Sequence, residues 1–309
     1  MRVCTFILLE ILNFLSFKLC YKYLISVPDY PVTFRCNQSC LSCIMIPAAM
    51  SRKGEVPFEQ LVSVIRSLPK GDYIGLSGGE PTISPNLPRI LEYIKDIRPD
   101  LYTFVVSNGR MFYYGWYADL ISSVCPPSFR LGVALYGDRP GVHDYITQVP
   151  GSFKQTWQGL RNIVDRDILF EVRYITHRIN YRLLPSVASK LVDWVPELDR
   201  FVVINIKYTG NAWKHKDRLF VRESDVVPYA TEAVDIMESA GISVRLYHFP
   251  LCILPQEYHK YAEGMTKLEE HEFAVLPQCR ECTLFEKCPR IWKTYLLAGG
   301  SPDEFHPVK

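Results

Sequence analysis

The sequence predicts an α/β fold, namely a partial (β/α)6 TIM-type barrel of parallel strands with a small Cys-rich C-terminal module. From about residue 30, short β-like runs alternate with helical patterns, and this alternation stops near residue 248, where cysteine, histidine and proline accumulate. Strands separated by helices imply parallel pairing with right-handed crossovers. We expect an apolar N-terminal segment over residues 1–28, a core domain over 29–247 and the Cys-rich module over 248–309.

Individual elements follow from local patterns. DYIGLS and LYTFVVS are short apolar runs that end at Gly-Gly and Asn-Gly, as buried strands do, and Pro57 precedes a helical pattern. The predicted strands are 30–35, 72–77, 101–107, 129–136, 168–176, 201–207 and 242–247. The predicted helices are 58–68, 86–97, 111–123, 153–164, 183–194 and 224–240.

Composition limits the functional classes. The chain has 309 residues, 48% of them hydrophobic, which is enough for one large domain plus an appendage. Its 35 basic and 33 acidic residues leave a net charge of +2, so no nucleic-acid partner is expected. Close cysteine groups in a large α/β chain favour metal ligation over disulfides, which predicts a reducing, cytoplasmic location.

The N-terminal segment is apolar between Cys4 and Cys20, but Glu10, Asn13 and Lys18 interrupt it. It is too short and too charged to predict a membrane-spanning helix, and it lacks a clear signal-peptide cleavage site. A helix lying on a membrane surface and a helix packed on the core domain both remain open.

The first motif is a cysteine triplet, Cys36, Cys40 and Cys43, directly after the first predicted strand. The carboxyl ends of parallel strands are where such folds place their chemistry. Three thiolates can ligate three irons of a cubane cluster and leave the fourth iron open to a chelating ligand. A structural zinc loop is the alternative, but it needs a fourth ligand, and no Cys or His lies between Cys43 and Cys125.

The second motif, Gly78-Gly79-Glu80-Pro81, follows the second predicted strand. The glycines allow a backbone to approach a ligand closely, and Glu80 supplies an acceptor for a cationic amino group.

Together the two motifs resemble those of the radical S-adenosylmethionine (SAM) superfamily, and the similarity spans residues 30–247. The resemblance implies an oxygen-sensitive [4Fe-4S] cluster on Cys36, Cys40 and Cys43, and a reductant such as flavodoxin or ferredoxin. It implies that SAM is bound by Gly78, Gly79, Glu80, Pro81, Ser107, Asn108 and Arg173. One departure is Ser42, where many members carry an aromatic residue that touches the adenine.

A second cysteine group comprises Cys252, Cys279, Cys282 and Cys288. Four thiolates can close a second [4Fe-4S] cluster or a zinc site, and the preceding barrel favours the cluster. The module resembles the twitch-type auxiliary domain of radical SAM enzymes. The segments CRECTLFEKC and ALYGDRPGVHDYITQVPGSF resemble the His-Xaa-Ser system radical SAM maturases, which implies a small precursor peptide or a protein side chain as substrate.

Other interpretations stay open. His143, Asp144 and His177 follow predicted strands and are either polar contacts at the site or ordinary turn residues. A radical SAM enzyme acting on a nucleotide, tRNA or cofactor precursor is one alternative function. A non-catalytic metal-binding protein on a degenerate barrel is another.

Overall fold

A computed structural model describes residues 29–45, 54–264 and 270–309 of the chain. Eight parallel strands form one sheet whose spatial order follows the sequence. The strands are β1 (Asp29–Thr33), β2 (Tyr73–Gly78), β3 (Tyr102–Ser107), β4 (Phe129–Leu135), β5 (Phe170–Thr176), β6 (Arg200–Asn205), β7 (Ser243–Tyr247) and β8 (Ala262–Glu263). The predicted partial α/β barrel is therefore confirmed.

Helices connect the strands and cover the outside of the sheet. In the described ranges they are α1 (Phe58–Ser67), α2 (Asn86–Ile97), α3 (Gly115–Val124), α4 (Pro140–Thr147), α5 (Ser152–Val164), α6 (Leu184–Trp194), α7 (Gly210–Lys214), α8 (Lys216–Leu219), α9 (Glu223–Ser239) and α10 (Lys293–Leu297). The apolar stripes of the longer helices pack on the outward side chains of the strands, and this layer is the main hydrophobic core.

Alternation along β5 shows how each strand divides its side chains. Phe170, Val172 and Tyr174 point outward into the core that the helices cover. Glu171 and Arg173 point to the opposite face, where Arg173 lies over the rings of Phe104 on β3 and Tyr247 on β7. Because β3 and β7 are not neighbours of β5, these contacts cross the interior of the barrel.

The predicted helix over residues 111–123 is instead a 3₁₀ turn, Arg110–Tyr113, followed by α3. Tyr114 between them has an extended backbone. The side-chain amide of Asn162 donates to the carbonyls of Phe112 (2.8 Å) and Tyr113 (3.0 Å), which satisfies these acceptors outside a helix. The predicted helix is therefore interrupted at Tyr114, where a long-range side chain provides the hydrogen bonds that a continuous helix would supply.

The C-terminal part packs against the carboxyl edge of the barrel. Strands β9 (Phe273–Ala274) and β10 (Ile291–Trp292) pair antiparallel. A second hydrophobic cluster joins Phe273 and Trp292 to Ile206, which follows β6, and to Leu41 in the cysteine loop. The barrel sheet also continues past residue 248, because β8 pairs in parallel with β7.

Within these described ranges, no helix is long and apolar enough to cross a membrane. The predicted apolar segment, residues 1–28, lies outside them.

Candidate active site

The loop that carries Cys36, Cys40 and Cys43 leaves the carboxyl end of β1. Backbone hydrogen bonds hold it from two sides: Leu41 N donates to Ile146 O at the end of α4 (2.9 Å), and Ala212 N on α7 donates to Cys43 O (3.1 Å). The three thiols are free and partly buried. The loop is therefore anchored by main-chain contacts as well as by any group that its thiols bind.

The thiols of this loop do not ionise readily by themselves. Burial raises the pKa of Cys36 to about 12, with further contributions from Glu80 and Cys43. Burial and the neighbouring Cys43 and Cys36 also raise the pKa of Cys40. Metal ligation requires thiolates, and adjacent thiolates are stabilised only when a positive charge lies between them. This donor set on one short loop fits an iron-sulfur cluster.

The glycine pair packs against the chain that leads into this loop. Gly79 N donates to Thr33 O and Glu80 N donates to Arg35 O, both at 2.8 Å. A Cβ atom on Gly78 would collide with the carbonyl oxygen of Thr33, and one on Gly79 with that of Arg35. The glycines therefore bring the β2 turn into direct contact with the residues before Cys36, a constraint that the sequence motif does not reveal.

Glu80 is fully enclosed, with 1% of its surface exposed. Its carboxylate accepts hydrogen bonds from Ser107 Oγ (2.8 Å), Asn108 N (2.7 Å) and Thr82 N (3.0 Å), while burial raises its pKa. Pro81 starts the adjoining 3₁₀ turn, Pro81–Ile83. Glu80 thus links the ends of β2 and β3, and its predicted contact with a SAM amino group stays a prediction.

Asn108 connects this centre to the cysteine loop. Its side-chain amide donates to Asn37 Oδ1 (2.7 Å), and its own Oδ1 accepts from Arg110 N (3.1 Å). The guanidinium of Arg110 donates to Asn37 O and to Gln155 Oε1. Three predicted residues, Glu80, Ser107 and Asn108, therefore lie together beside the thiols, whereas Asn37 and Arg110 were not anticipated.

Tyr136, at the end of β4, is a further unanticipated neighbour. It is buried beside the cysteine loop, and burial followed by the neighbouring Cys40 and Cys43 raises the pKa of its hydroxyl well above the ordinary value. An aromatic side chain from another strand therefore lies beside the loop that has Ser42 instead of an aromatic residue.

Arg173 lies elsewhere in the barrel interior. It pairs with Glu171 (3.6 Å), and its charge partly opposes the effect of burial, which raises the pKa of Asp29 to about 6. Asp29 starts β1, whereas Cys36 follows its end, so these partners lie toward the amino edge of the sheet. Among the described contacts of Arg173, none reaches the cysteine loop or Glu80, and its assignment to the SAM carboxylate stays a prediction.

Of the other polar residues, Asp144 has clear hydrogen-bond partners, whereas both ring nitrogens of buried His177 have none in the described part of the chain. Asp144 caps α5 by accepting from Gly151 N (2.6 Å) and Phe153 N (2.7 Å). His143 is buried against Tyr136 and Phe153, and burial lowers its pKa to about 4. Burial lowers the pKa of His177 to about 3, so both imidazoles are neutral at pH 7.

The four C-terminal cysteines converge on one pocket. Cys252 reaches it from the loop after β7, and Cys279, Cys282 and Cys288 reach it from the chain between β9 and β10. The pKa of Cys252 is raised to about 12, first by burial and then by the other three thiols. All four are free. The four thiols therefore share one pocket, and their ligation of a single metal group stays a prediction.

A sequence profile described as the radical SAM superfamily matches residues 30–181, from β1 to the turn before α6. This segment, which holds the cysteine loop, Glu80 and Asn108, is a radical SAM domain. The family of this domain implies a [4Fe-4S] cluster and SAM as cofactors.

A curated relative is the Fe-coproporphyrin III synthase of Methanosarcina barkeri, 24% identical over 231 residues, which cover 74% of this chain and 54% of the relative. The chain thus spans about half the length of that protein.

Solved structures share the fold. Streptococcus suis SuiB bound to its precursor peptide SuiA has a TM-score of 0.57 at 12% identity, over 82% of this chain and 52% of SuiB. The structure of anSMEcpe with AdoMet and the Kp18Cys peptide has a TM-score of 0.57 at 16% identity, over 91% of this chain and 92% of that one.

Proposed function

We propose that this chain is a radical SAM enzyme that removes a hydrogen atom from a peptide or protein side chain. The observation that carries the catalytic part is the bonded unit formed by the cysteine loop, Glu80 and Asn108 at the carboxyl edge of β1 to β3. The peptide substrate is supported by the fold shared with SuiB and anSMEcpe, whose structures contain peptides.

Cys36, Cys40 and Cys43 would ligate a [4Fe-4S] cluster and leave one iron free for SAM. The chemistry that the reduced cluster and SAM supply when bound is one-electron cleavage of the S–C5′ bond, which yields a 5′-deoxyadenosyl radical. A protein reductant such as flavodoxin or ferredoxin would provide the electron.

The protein's own residues position these groups. Main-chain bonds from α4 and α7 fix the cysteine loop, and the Asn108–Asn37 contact ties it to the end of β3. Outer partners of this kind orient metal ligands. Glu80, Ser107 and Asn108 are buried at the site, and the exclusion of water there would protect a reactive radical.

The C-terminal pocket would hold a second [4Fe-4S] cluster on Cys252, Cys279, Cys282 and Cys288, with zinc as the competing occupant. With four thiolates the cluster has no open iron, which suits electron transfer rather than substrate binding. Iron, labile sulfide and zinc analysis of anaerobically reconstituted protein separates the two occupants.

A cofactor precursor is the second candidate substrate. It is favoured by the sequence match to an Fe-coproporphyrin III synthase. Incubation with iron tetrapyrrole precursors of Fe-coproporphyrin III and, in parallel, with short peptides encoded beside the gene distinguishes the two classes by mass spectrometry of the products.

The catalytic assignment is tested by measuring 5′-deoxyadenosine formed from SAM with dithionite as reductant. We expect Cys36→Ala to abolish it. Cys125→Ala is the matched control, because Cys125 is a free cysteine outside both groups, and this variant should retain activity. Full SAM cleavage by the Cys36→Ala protein would refute the assignment.

A further inference from the structure

The pocket of the four C-terminal cysteines contains an arginine, Arg290, two positions after Cys288. Only 7% of this residue is exposed. A cation removed from water to this extent is expected to have an anionic partner nearby. The identity of that partner therefore bears on what the pocket holds.

No carboxylate provides this partner. In the described ranges, the guanidinium of Arg290 makes no ion pair and donates no side-chain hydrogen bond. It lies instead over the ring of Phe285, with its central carbon 3.4 Å from the ring centroid. A cation–π contact orients a guanidinium, but it does not neutralise the charge.

The backbone at this residue is also unusual. Arg290 has φ of 71°, in the left-handed region that non-glycine residues rarely adopt. Such strain persists where the surrounding structure requires it, and it often accompanies a functional position. Here the next residue, Ile291, starts β10 and lines the same pocket. The turn at Arg290 therefore joins the cysteine segment to β10 while its side chain stays at the pocket.

Four neutral thiols would leave Arg290 without a counter-charge. Four thiolates around a [4Fe-4S] core, or around a zinc ion, form a complex whose net charge is negative. The pocket is thus complementary to an anionic thiolate complex.

We propose that Arg290 is the counter-ion of the C-terminal cluster and raises its reduction potential. This inference rests on the proposed second [4Fe-4S] cluster. Adding an electron makes the complex more negative, so a fixed cation stabilises the reduced form more than the oxidised form. Arg290 is a positioning residue in this sense: it acts through the cluster and not on a substrate.

The experiment is a redox titration followed by electron paramagnetic resonance. It uses the full-length chain in which Cys36, Cys40 and Cys43 are replaced by Ala, so that the signal comes from the C-terminal cluster alone. We expect Arg290→Gln to shift the midpoint potential to a more negative value. Arg290→Lys keeps the positive charge and should therefore have a potential close to that of the parent protein. The matched control is Arg280→Gln, because Arg280 lies between Cys279 and Cys282 but is exposed, so that water screens its charge.

An unchanged potential in Arg290→Gln at full iron content would overturn the inference while leaving the cluster in place. Zinc, or no iron, in the parent protein would overturn the proposed second cluster and the redox role together. Cleavage of SAM by the unmodified chain is measured separately and reports only on the first cluster. Equal iron and labile sulfide in the two Arg290 variants excludes a simple folding defect as the cause of a shift.

Discussion

The indole ring of Trp292 packs against the imidazole ring of His248, with their centroids 4.3 Å apart. His248 follows β7 of the barrel, and Trp292 lies on β10 next to Ile291, which lines the four-cysteine pocket. Phe273, on the paired strand β9, stacks on the ring of Trp292, with the ring centroids 4.4 Å apart. This aromatic group therefore connects the C-terminal module to the edge of the barrel where the cysteine loop lies.

Trp292→Ala is expected to reduce the free energy of unfolding by about 3–5 kcal/mol, since it removes a large buried side chain from a shared interface. Chemical denaturation measures this loss. The control is Trp116→Ala, in which the ring is 61% exposed and the expected change is below about 0.5 kcal/mol. Equal losses in the two variants would contradict the role of Trp292 at the interface.

Gly79→Ala is expected to disturb the cysteine loop, because the added methyl group would collide with the carbonyl of Arg35, one residue before Cys36. We expect a loss of about 1–3 kcal/mol in stability and a lower iron content after reconstitution. Gly141→Ala is the matched control, as its Cβ would meet no atom within 4 Å. Normal iron content in Gly79→Ala would show that the loop tolerates the displacement.

Asn108→Ala removes the hydrogen bond to Asn37 that steadies the cysteine loop. Loss of such an outer partner typically lowers metal affinity or activity by roughly 10–100-fold, and we expect a decrease of that size in SAM cleavage. Asn86→Ala is the comparison, because it removes a buried amide that donates to Val56 O, just before α1 and outside the cysteine loop. That variant should lose stability and keep its iron; similar SAM cleavage by both proteins would argue against a specific role for Asn108.

Glu223 gives a prediction about pH. Neither of its carboxylate oxygens has a hydrogen-bond partner in the described part of the chain, and burial, followed by the charge of Glu304, raises its pKa well above the ordinary value. The pKa of this carboxyl group is higher in the folded chain than in the unfolded chain. The fold therefore loses stability as the pH rises from the unfolded-state pKa to the folded-state pKa. Stability from this group is thus complete below the unfolded pKa and declines above it.

Glu223→Gln should remove this decline. We expect the variant to exceed the unmodified chain by roughly 1–3 kcal/mol at pH 8, and to show little advantage at pH 4. Denaturation curves at both values measure the difference. Glu232→Gln, an exposed change on the same helix, should show no such pH-dependent gain. A constant difference across pH would mean that the carboxyl of Glu223 titrates normally.

The proximity of three predicted residues could be inferred from where the strands end in the sequence. Glu80, Ser107 and Asn108 follow neighbouring parallel strands, and topology alone requires those carboxyl ends to meet. What the sequence could not provide was the choice of partners, for example that the carboxylate of Glu80 binds protein groups on β3.

Other features depend on long-range geometry. Arg173 contacts Glu171 and the rings of two distant strands, and its position on β5 alone could not predict these neighbours. Nothing in the sequence indicated that Arg290 is buried, because an arginine in a cysteine-rich loop is ordinarily exposed. Its left-handed backbone conformation does not follow from the residue type either.

The anchoring of the cysteine loop between α4 and α7 has a consequence for the geometry of its thiols. Main-chain bonds to Ile146 and Ala212 attach the loop to helices that follow β4 and β6, far apart in the sequence. The spacing of the three thiols therefore depends on the positions of both helices, and a substitution that displaces either helix would be expected to move the thiols relative to one another.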